Sequence, residues 1–449
     1  MNPDHMAMQD SNTFADGGEG GHIASRPSLG ALIRVFARIG ILSFGGPAAQ
    51  IALMHREIVE DRNWLSEQTY LNALSFCMLL PGPEAMQLAT YTGWRLHGTL
   101  GGLVAGLLFV LPGAALILAL AMLYVNFGGV PLVQSLFLGV KAAVLVIVIE
   151  ALLRISRRAL KMRFHWWIAG LAFAALFVFD APYPLVVVAA GLVGLLLARP
   201  RETAPPDVLG KAVPLRRTAA TVLVWMGLWL VPLLLLEYVL PGHVLGEIGR
   251  FFSVLATVTF GGAYAVLAYM AQEAVSGYGW LTAPEMADAL GLAETTPGPL
   301  ILVTEFVGFL AAARGTNGTP DMFLGALGAA VTLWVTFVPC FLWVFAGAPY
   351  IERLQHQPRL KGALDAITAA VVGVILNLSL WFALQVMFAS VARLPMGPAQ
   401  PWIPDLATVD WRVPVLSAVA GVLLLRFRMG IVFALAGTAL CGLLLEYLL

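Results

Sequence analysis

Two tripeptides of identical composition interrupt apolar stretches of the chain: Pro81-Gly82-Pro83 within MLLPGPEAMQ, and Pro297-Gly298-Pro299 within ETTPGPLILV. Proline removes a backbone donor and clashes with the turn before it, so a second proline two residues on leaves no room for continuous helix. Peptide groups freed in this way cost several kcal/mol in an apolar medium unless they face protein, water or a ligand. Pro83 and Pro299 each suit the first turn of a new helix, whose leading N–H groups carry partial positive charge and favour an oxyanion. A pair of packing kinks is the bland alternative, and duplication of the motif weighs against it. Phe44-Gly45-Gly46-Pro47 and Phe260-Gly261-Gly262 form a second duplicated break. Paired glycines admit close approach of backbone or ligand, and small-residue helix packing accounts for them equally well. Ala263 stands where the first copy has Pro47, so a sharp break is expected only in the first copy.

Isolated charges in apolar surroundings are the next signal. Lys141 lies deep in an apolar run and should face a cavity or a partner, because an unpaired cation at membrane depth is expensive. Glu150, nine positions on, is too far along the helix to be that partner. Arg34 and Arg38 stand one helical turn apart before the first FGG, and Arg95 follows the first PGP; snorkelling to a membrane surface is the competing account for Arg34 and Arg95. Gly45, Gly46, Gly82, Gly261, Gly262 and Gly298, with Glu84, Lys141, Arg34, Arg38 and Arg95, are therefore the candidate substrate-binding residues. Glu84 and Glu305, close after the two PGP motifs, are candidate proton carriers, and Glu294 precedes the second motif. A carboxylate in a first helical turn also caps its helix, which leaves both readings of Glu84 open. Gln50, Gln87 and Asn377 are further hydrogen-bonding candidates. No catalytic residues, metal site or cofactor are expected: the chain holds no GxxxxGK[ST], HExxH, nucleophile elbow or clustered Cys/His, and its three cysteines all lie in apolar runs.

The elements that position these residues follow from composition. The chain of 449 residues is 59% hydrophobic and 12% charged, with mean hydropathy +0.84, against about 25% charged in soluble domains. Apolar runs of roughly 20 residues recur along it without strand-like alternation, which predicts an all-α polytopic membrane protein. About 13 helical spans are expected, near 29–53, 69–94, 99–124, 130–153, 165–180, 183–198, 218–240, 246–270, 285–311, 323–347, 364–389, 412–426 and 430–448. With the N-terminus inside, 17 Lys and Arg fall on the inner side and 6 on the outer, so the N-terminus is expected in the cytoplasm and the C-terminus in the periplasm. Phe44 matches Phe260, Trp64 matches Trp280 and Pro81 matches Pro297 at one offset of 216; farther on, Pro112 matches Pro339 and Ala142 matches Ala369 at 227. The chain therefore divides into a disordered tail (1–27), a first repeat (28–198), a basic linker (199–217), an extra connecting span (218–240) and a second repeat (241–449). Seven spans separate equivalent points, an odd number, so the halves are expected to be inverted, with broken helices meeting near the midplane as in secondary transporters. Lys141 has Thr368 as its repeat mate, so that charge breaks the pseudo-symmetry.

The runs Ser43–Trp94 and Thr259–Val303, carrying the paired FGG and PGP elements, closely resemble the two halves of the chromate ion transporter family in its long, two-domain form. The resemblance spans nearly everything but the tail, the linker and the last two spans. It implies a secondary transporter that exports chromate across the bacterial inner membrane on the proton motive force and so confers resistance, with sulfate as the analogous anion. The motif positions it singles out are Phe44, Gly45, Gly46, Pro47, Pro81, Gly82, Pro83, Glu84, Phe260, Gly261, Gly262, Pro297, Gly298 and Pro299. The expected partners are a chromate- or sulfate-like oxyanion and membrane lipid, with no nucleic acid and with homo-oligomerisation left open. Uptake or exchange of sulfate or another oxyanion is the nearest alternative; an anion channel or a membrane enzyme is a more distant one.

Overall fold

The computed structural model describes residues 26–197, 215–260, 263–314, 319–351, 357–394, 397 and 399–448. The expected tail up to residue 25, linker residues 199–214, and Gly261 and Gly262 lie outside these described residues. Helix α1 (Leu29–Leu42) is capped by Ser28, whose Oγ accepts from the Ala31 N–H at 3.2 Å, and it buries Leu32, Val35, Phe36 and Ile39 at helical spacing. It stops at the first FGG. Gly45 and Gly46 have φ of 88° and 76°, the left-handed region that glycine enters without strain, and α2 (Gly46–His55) starts there with Pro47 in its first turn. Beyond α2 a π turn, Arg56–Glu60, carries Glu57, which lies 3.6 Å from Arg38. In one straight helix these two residues would stand about 28 Å apart. The chain therefore doubles back at the glycines.

The first PGP is the tip of a second hairpin. Its arms are α3 (Glu67–Cys77) and the opening stretch, 84–96, of α4 (Glu84–Phe127). Phe76 and Tyr91 bring their rings to 6.2 Å across it, where a straight helix would separate them by about 22 Å. At His97 and Gly98 the backbone leaves helical geometry, and the second arm of α4, 99–127, returns along the first. A Cβ on Gly93 would sit 2.2 Å from the Gly101 carbonyl oxygen, so only hydrogen fits between the arms.

The second half repeats these parts. Helices α9 (Val244–Val258) and α10 (Ala263–Gln272) flank the second FGG, and α11 (Ala283–Thr295) and α12 (Val303–Ala313) flank the second PGP. Thr282 and Glu285 form a capping box on α11, and Arg314, just past α12, pairs with Glu285 and closes the hairpin base. Helix α13 (Met322–Gly347) then returns along α12, with Gly308 and Gly328 in close approach. The remaining helices are α5 (Pro131–Ala159), α6 (Arg163–Phe177), α7 (Tyr183–Leu197), α8 (Leu215–Val239), α14 (Pro358–Met387), α15 (Arg412–Gly421) and α16 (Ile431–Leu448). Helices α6 and α7 of the first half pack on α14 of the second, while α15 and α16 pack on α5, and α5 packs on α14. Each half thus closes over the long helix of the other. Helix α8 buries only Trp229 and shows Leu223, Leu234 and Leu235 to the outside, as a span at the lipid periphery should.

Two expectations need correction. The segments expected as spans 29–53, 69–94, 246–270 and 285–311 are each two short helices meeting at a break, because tertiary partners satisfy the freed backbone groups. Five helices among the described residues are long and apolar enough to cross a membrane, with shorter apolar helices beside them. The second FGG breaks its helix as fully as the first although Ala263 replaces proline. The Thr259 hydroxyl accounts for part of this by bonding the Leu255 carbonyl at 2.5 Å, which ends α9 without help from proline. Finally, an antiparallel pair of short strands, β1 (Val391–Arg393) and β2 (Trp402–Pro404), follows α14 in an otherwise all-α fold.

Candidate functional site

The two PGP tips meet the two FGG breaks crosswise. The Gly82 N–H donates to the Thr259 carbonyl at 2.8 Å, and the Gly298 N–H donates to the Ser43 carbonyl at 2.9 Å. Each tip of one half thereby holds the residue ahead of the FGG of the other. The glycines are required there: φ is 120° at Gly82 and 90° at Gly298, and Cβ atoms would meet Cys340 Sγ at 2.9 Å and Leu302 Cδ1 at 2.8 Å. Cys340 and Gly113, which follow the matched prolines Pro339 and Pro112, line these two tips. Gln50 Nε2 donates to Gly298 O at 2.6 Å and Gln87 Nε2 to Pro81 O at 2.7 Å, so both glutamines brace the crossing. Gly82 and Gly298, expected among the substrate-binding residues, therefore commit their N–H groups to the protein.

The second arm of α4 serves as a ruler for the rest. The base of the first hairpin joins it at His97, whose Nε2 lies 2.7 Å from the Pro27 carbonyl at the start of α1. The tip of the second hairpin rests near its middle, at Phe109 and Gly113. The base of the second hairpin reaches its far end, where the Tyr124 hydroxyl donates to Asp288 Oδ2 at 2.7 Å. The two hairpins approach the crossing from opposite ends of one helix.

At that far end lies a cavity of about 790 Å³, reaching from Gly128 and Pro131 down to Lys141. Lys141 Nζ sits 3.1 Å from Asp288 Oδ1, with side chains 17% and 12% exposed. Arg314 paired with Glu285, and Arg412 at 2.6 Å from Glu446, complete its charged lining among the described residues. Asp410 grips Arg412 from behind at 2.8 Å. The expected cation thus faces a cavity and a partner together. A cavity of this size with three cations could hold a small tetrahedral anion, and no group of His, Cys, Asp or Glu suited to a metal ion occurs among the described residues.

The family model described as chromate transporter matches residues 30–195 and again 246–443, beginning in the same register that relates the motifs. The chain belongs to the chromate transporter family. A probable chromate transport protein of Synechococcus elongatus is 31% identical over 82% of this chain and 86% of its own. Chromate transport proteins of Cupriavidus metallidurans and Pseudomonas aeruginosa are 31% and 35% identical over 79% and 76% of this chain, covering 82% and 77% of theirs. No solved structure matches the fold. The protein is a multi-pass membrane transporter and not an enzyme.

In the transporter, the other sequence candidates are dispersed. Arg34 and Arg95 are exposed on the His97 side of the ruler helix, at least about 30 Å by helical rise from Tyr124 and the cavity. Arg38 is 60% exposed at its side chain and occupied with Glu57, whose second oxygen accepts from Arg62 at 2.5 Å. None of the three lines the cavity. Glu84 opens α4 beside the first tip, as a capping acid would. Glu305 is 1% exposed in α12 and its Oε2 accepts no hydrogen bond, while Glu294 accepts from the Tyr264 hydroxyl at 3.0 Å. Sequence reasoning missed Asp288, Arg314 and Arg412. The available signal was weak: Asp288 has Asn72 as its repeat mate, an asymmetry parallel to that of Lys141 and Thr368.

His55 contacts Glu67 at 2.6 Å and Glu60 at 3.0 Å, tying α2 to the base of the first PGP hairpin. The hydrogen bond that the protonated ring donates to Glu67 raises the His55 pKa above its usual value. A raised folded-state pKa gives stability that is complete below about 6.5, the unfolded value, and is lost as pH climbs through the folded pKa. Stability against thermal unfolding in detergent should therefore fall as pH rises above about 6.5, by less than about 1 kcal/mol, the contribution of an exposed pair, and His55→Ala should flatten that slope. An identical slope in the variant would mean that the pair contributes nothing.

Proposed function

We propose that the protein exports chromate from the cytoplasm across the inner membrane, driven by the proton motive force, and so confers chromate resistance. The observation that carries this reading is the charged cavity at Lys141, closed on one side by a hairpin whose tip is stitched to the other half. The chromate transport proteins among its relatives supply the substrate. In this reading the halves are inverted. The opposite approach of the two hairpins supports it, and so does parity: the second arm of α4 and helices α5 to α8 make five crossings between equivalent points, still an odd number. The excess of Lys and Arg on one side supports a cytoplasmic N-terminus and a periplasmic C-terminus, which places the cavity on the periplasmic side.

The anion sits in the cavity, and the crossed breaks act as the pivot about which the halves rock. Support comes from the unequal setting of equivalent helices. In α11 every residue from Met286 to Glu294 is buried, whereas its counterpart α3 exposes Leu71 and Ser75. A carrier held at one end of its cycle has this asymmetry. Tracer flux into everted vesicles tests the reading, with chromate and sulfate in turn and the pH gradient varied. Chromate accumulation that collapses when the proton motive force is dissipated is expected. Absence of chromate flux defeats the substrate, and sulfate flux alone would replace it with the analogous oxyanion; flux indifferent to that dissipation defeats the coupling.

A further inference from the structure

Within the cavity each cation already has a carboxylate: Lys141 has Asp288, Arg314 has Glu285, and Arg412 has Glu446. The formal charge of these lining groups cancels among the described residues, so an arriving dianion meets no net attraction. Binding it requires that one carboxylate yield its cation. Glu285 is held in a capping box, accepting from the Thr282 N–H at 2.7 Å and the Thr282 hydroxyl at 2.8 Å as well as from Arg314. Glu446 is 49% exposed at its side chain, where water solvates it with or without Arg412. Asp288 differs from both. Its side chain is nearly buried, and its Oδ1, although 3.1 Å from the Lys141 ammonium, lies outside hydrogen-bonding geometry and accepts no bond. Its other oxygen, Oδ2, accepts from the Tyr124 hydroxyl.

Resting on the proposed transport reading, we propose that Asp288 occupies the place of the transported oxyanion when the cavity is empty, and that the anion displaces it from Lys141 only as Asp288 takes up a proton. Anion binding and proton uptake are then one event at one pair of residues, so a dianion leaves with one proton and a net single negative charge, which the membrane-potential component of the proton motive force drives outward. The balance is simple. The Asp288 carboxylate gains a proton from water in the cavity and becomes a neutral acid, its ion pair with Lys141 breaks, and the ammonium pairs with an oxygen of the dianion. Lys141 keeps its own protons throughout. Left ionised, Asp288 would face a dianion across a few ångströms of poorly solvated space, a repulsion of several kcal/mol at an effective dielectric of about 20. Protonation removes that repulsion and leaves Asp288 able to donate a hydrogen bond, while Tyr124 is freed to donate to the anion.

The groups facing Asp288 from neighbouring elements are Tyr124 on α4, Lys141 on α5, Arg314 after α12, Arg412 with Asp410 on α15 and the loop before it, and Glu446 on α16; Glu285 lies on its own helix. Among the described residues, Lys141 and Tyr124 are the groups that touch its carboxylate. The pair is also absent from the equivalent place in the other half, where Asn72 and Thr368 stand. Proton exchange therefore belongs to the end of the transporter where this cavity opens. Glu84 and Glu305, the carriers expected from sequence, do not line it.

Full-length protein in proteoliposomes provides the test, with labelled sulfate and with chromate as probes. With one proton taken up per anion, wild-type apparent affinity should fall by about tenfold for each pH unit on the alkaline side. In Asp288→Asn the apparent affinity should change by less than about twofold across the same pH range, whatever its absolute level, and proton movement coupled to anion flux should be lost. Asp288→Glu should restore both. The infrared difference spectrum of the wild-type protein, with and without sulfate, should gain a protonated-carboxyl band, so the proposal is exposed even where a variant fails to insert. Asp288→Asn with wild-type pH dependence, or a wild-type spectrum lacking that band, overturns the coupling by Asp288 while leaving transport intact. Failure of the wild-type protein to move either anion overturns the transport reading itself.

Discussion

Lys141→Gln should lower chromate flux by about 10- to 100-fold, the effect of deleting a charge-assisted contact of 1.5–3 kcal/mol to the anion. It should also destabilise the protein, because the Asp288 carboxylate is left unpaired at 12% side-chain exposure. Breaking a fully buried ion pair in this way costs about 3–5 kcal/mol, and the adjoining cavity reduces that figure here. The two consequences separate in a double variant. Lys141→Gln with Asp288→Asn removes the orphaned charge, so thermal stability should recover while flux stays low, and Lys141→Arg should keep part of the flux. Flux in Lys141→Gln equal to wild type would return the lysine to a purely structural role. If the double variant recovered flux together with stability, the loss in the single variant would have been one of folding and not of binding.

The second large effect is expected at the crossing. Gly82→Ala and Gly298→Ala each place a Cβ at a positive φ, at a cost of about 1–3 kcal/mol. The new atom would lie 2.8 Å from Gln87 Nε2 in one case and 2.8 Å from Leu302 Cδ1 in the other, and relief of either clash pulls the glycine N–H away from its acceptor in the opposite half. That hydrogen bond contributes about another 1 kcal/mol. Transport should fall severalfold, with a lower unfolding temperature in detergent. Gly170→Ala is the matched control, since Gly170 is exposed and nothing lies within 4 Å of its added Cβ. If the three variants transported and unfolded alike, the crossed breaks would have no part in the moving structure.

What the sequence by itself determined follows from local chemistry. Composition demanded lipid-embedded helices, Pro-Gly-Pro demanded two interruptions, and constant register demanded two related halves. The long helices α4, α5, α13 and α14 fall where the apolar runs place them. Lys141 was correctly marked as a charge in need of a partner, because desolvation of a cation depends on depth alone.

Only the tertiary structure decided how those parts are used. A broken apolar segment of some 25 residues reads the same whether its halves continue across the membrane or fold back, and the choice rests on partners distant in sequence: Thr259 for Gly82, Ser43 for Gly298, Arg314 for Glu285. The break at the second FGG, expected to be mild without proline, is complete because a hydroxyl and a carbonyl at Thr259 end α9. Asp288 and Lys141 lie 147 positions apart and meet because α11 packs on α5. Arg34, Arg38 and Arg95 had equal claims from their types, yet their helices carry them to exposed positions away from the cavity. Sequence sets the energetic demand of each buried group, and the packing of helices far apart in the chain decides which neighbour meets it.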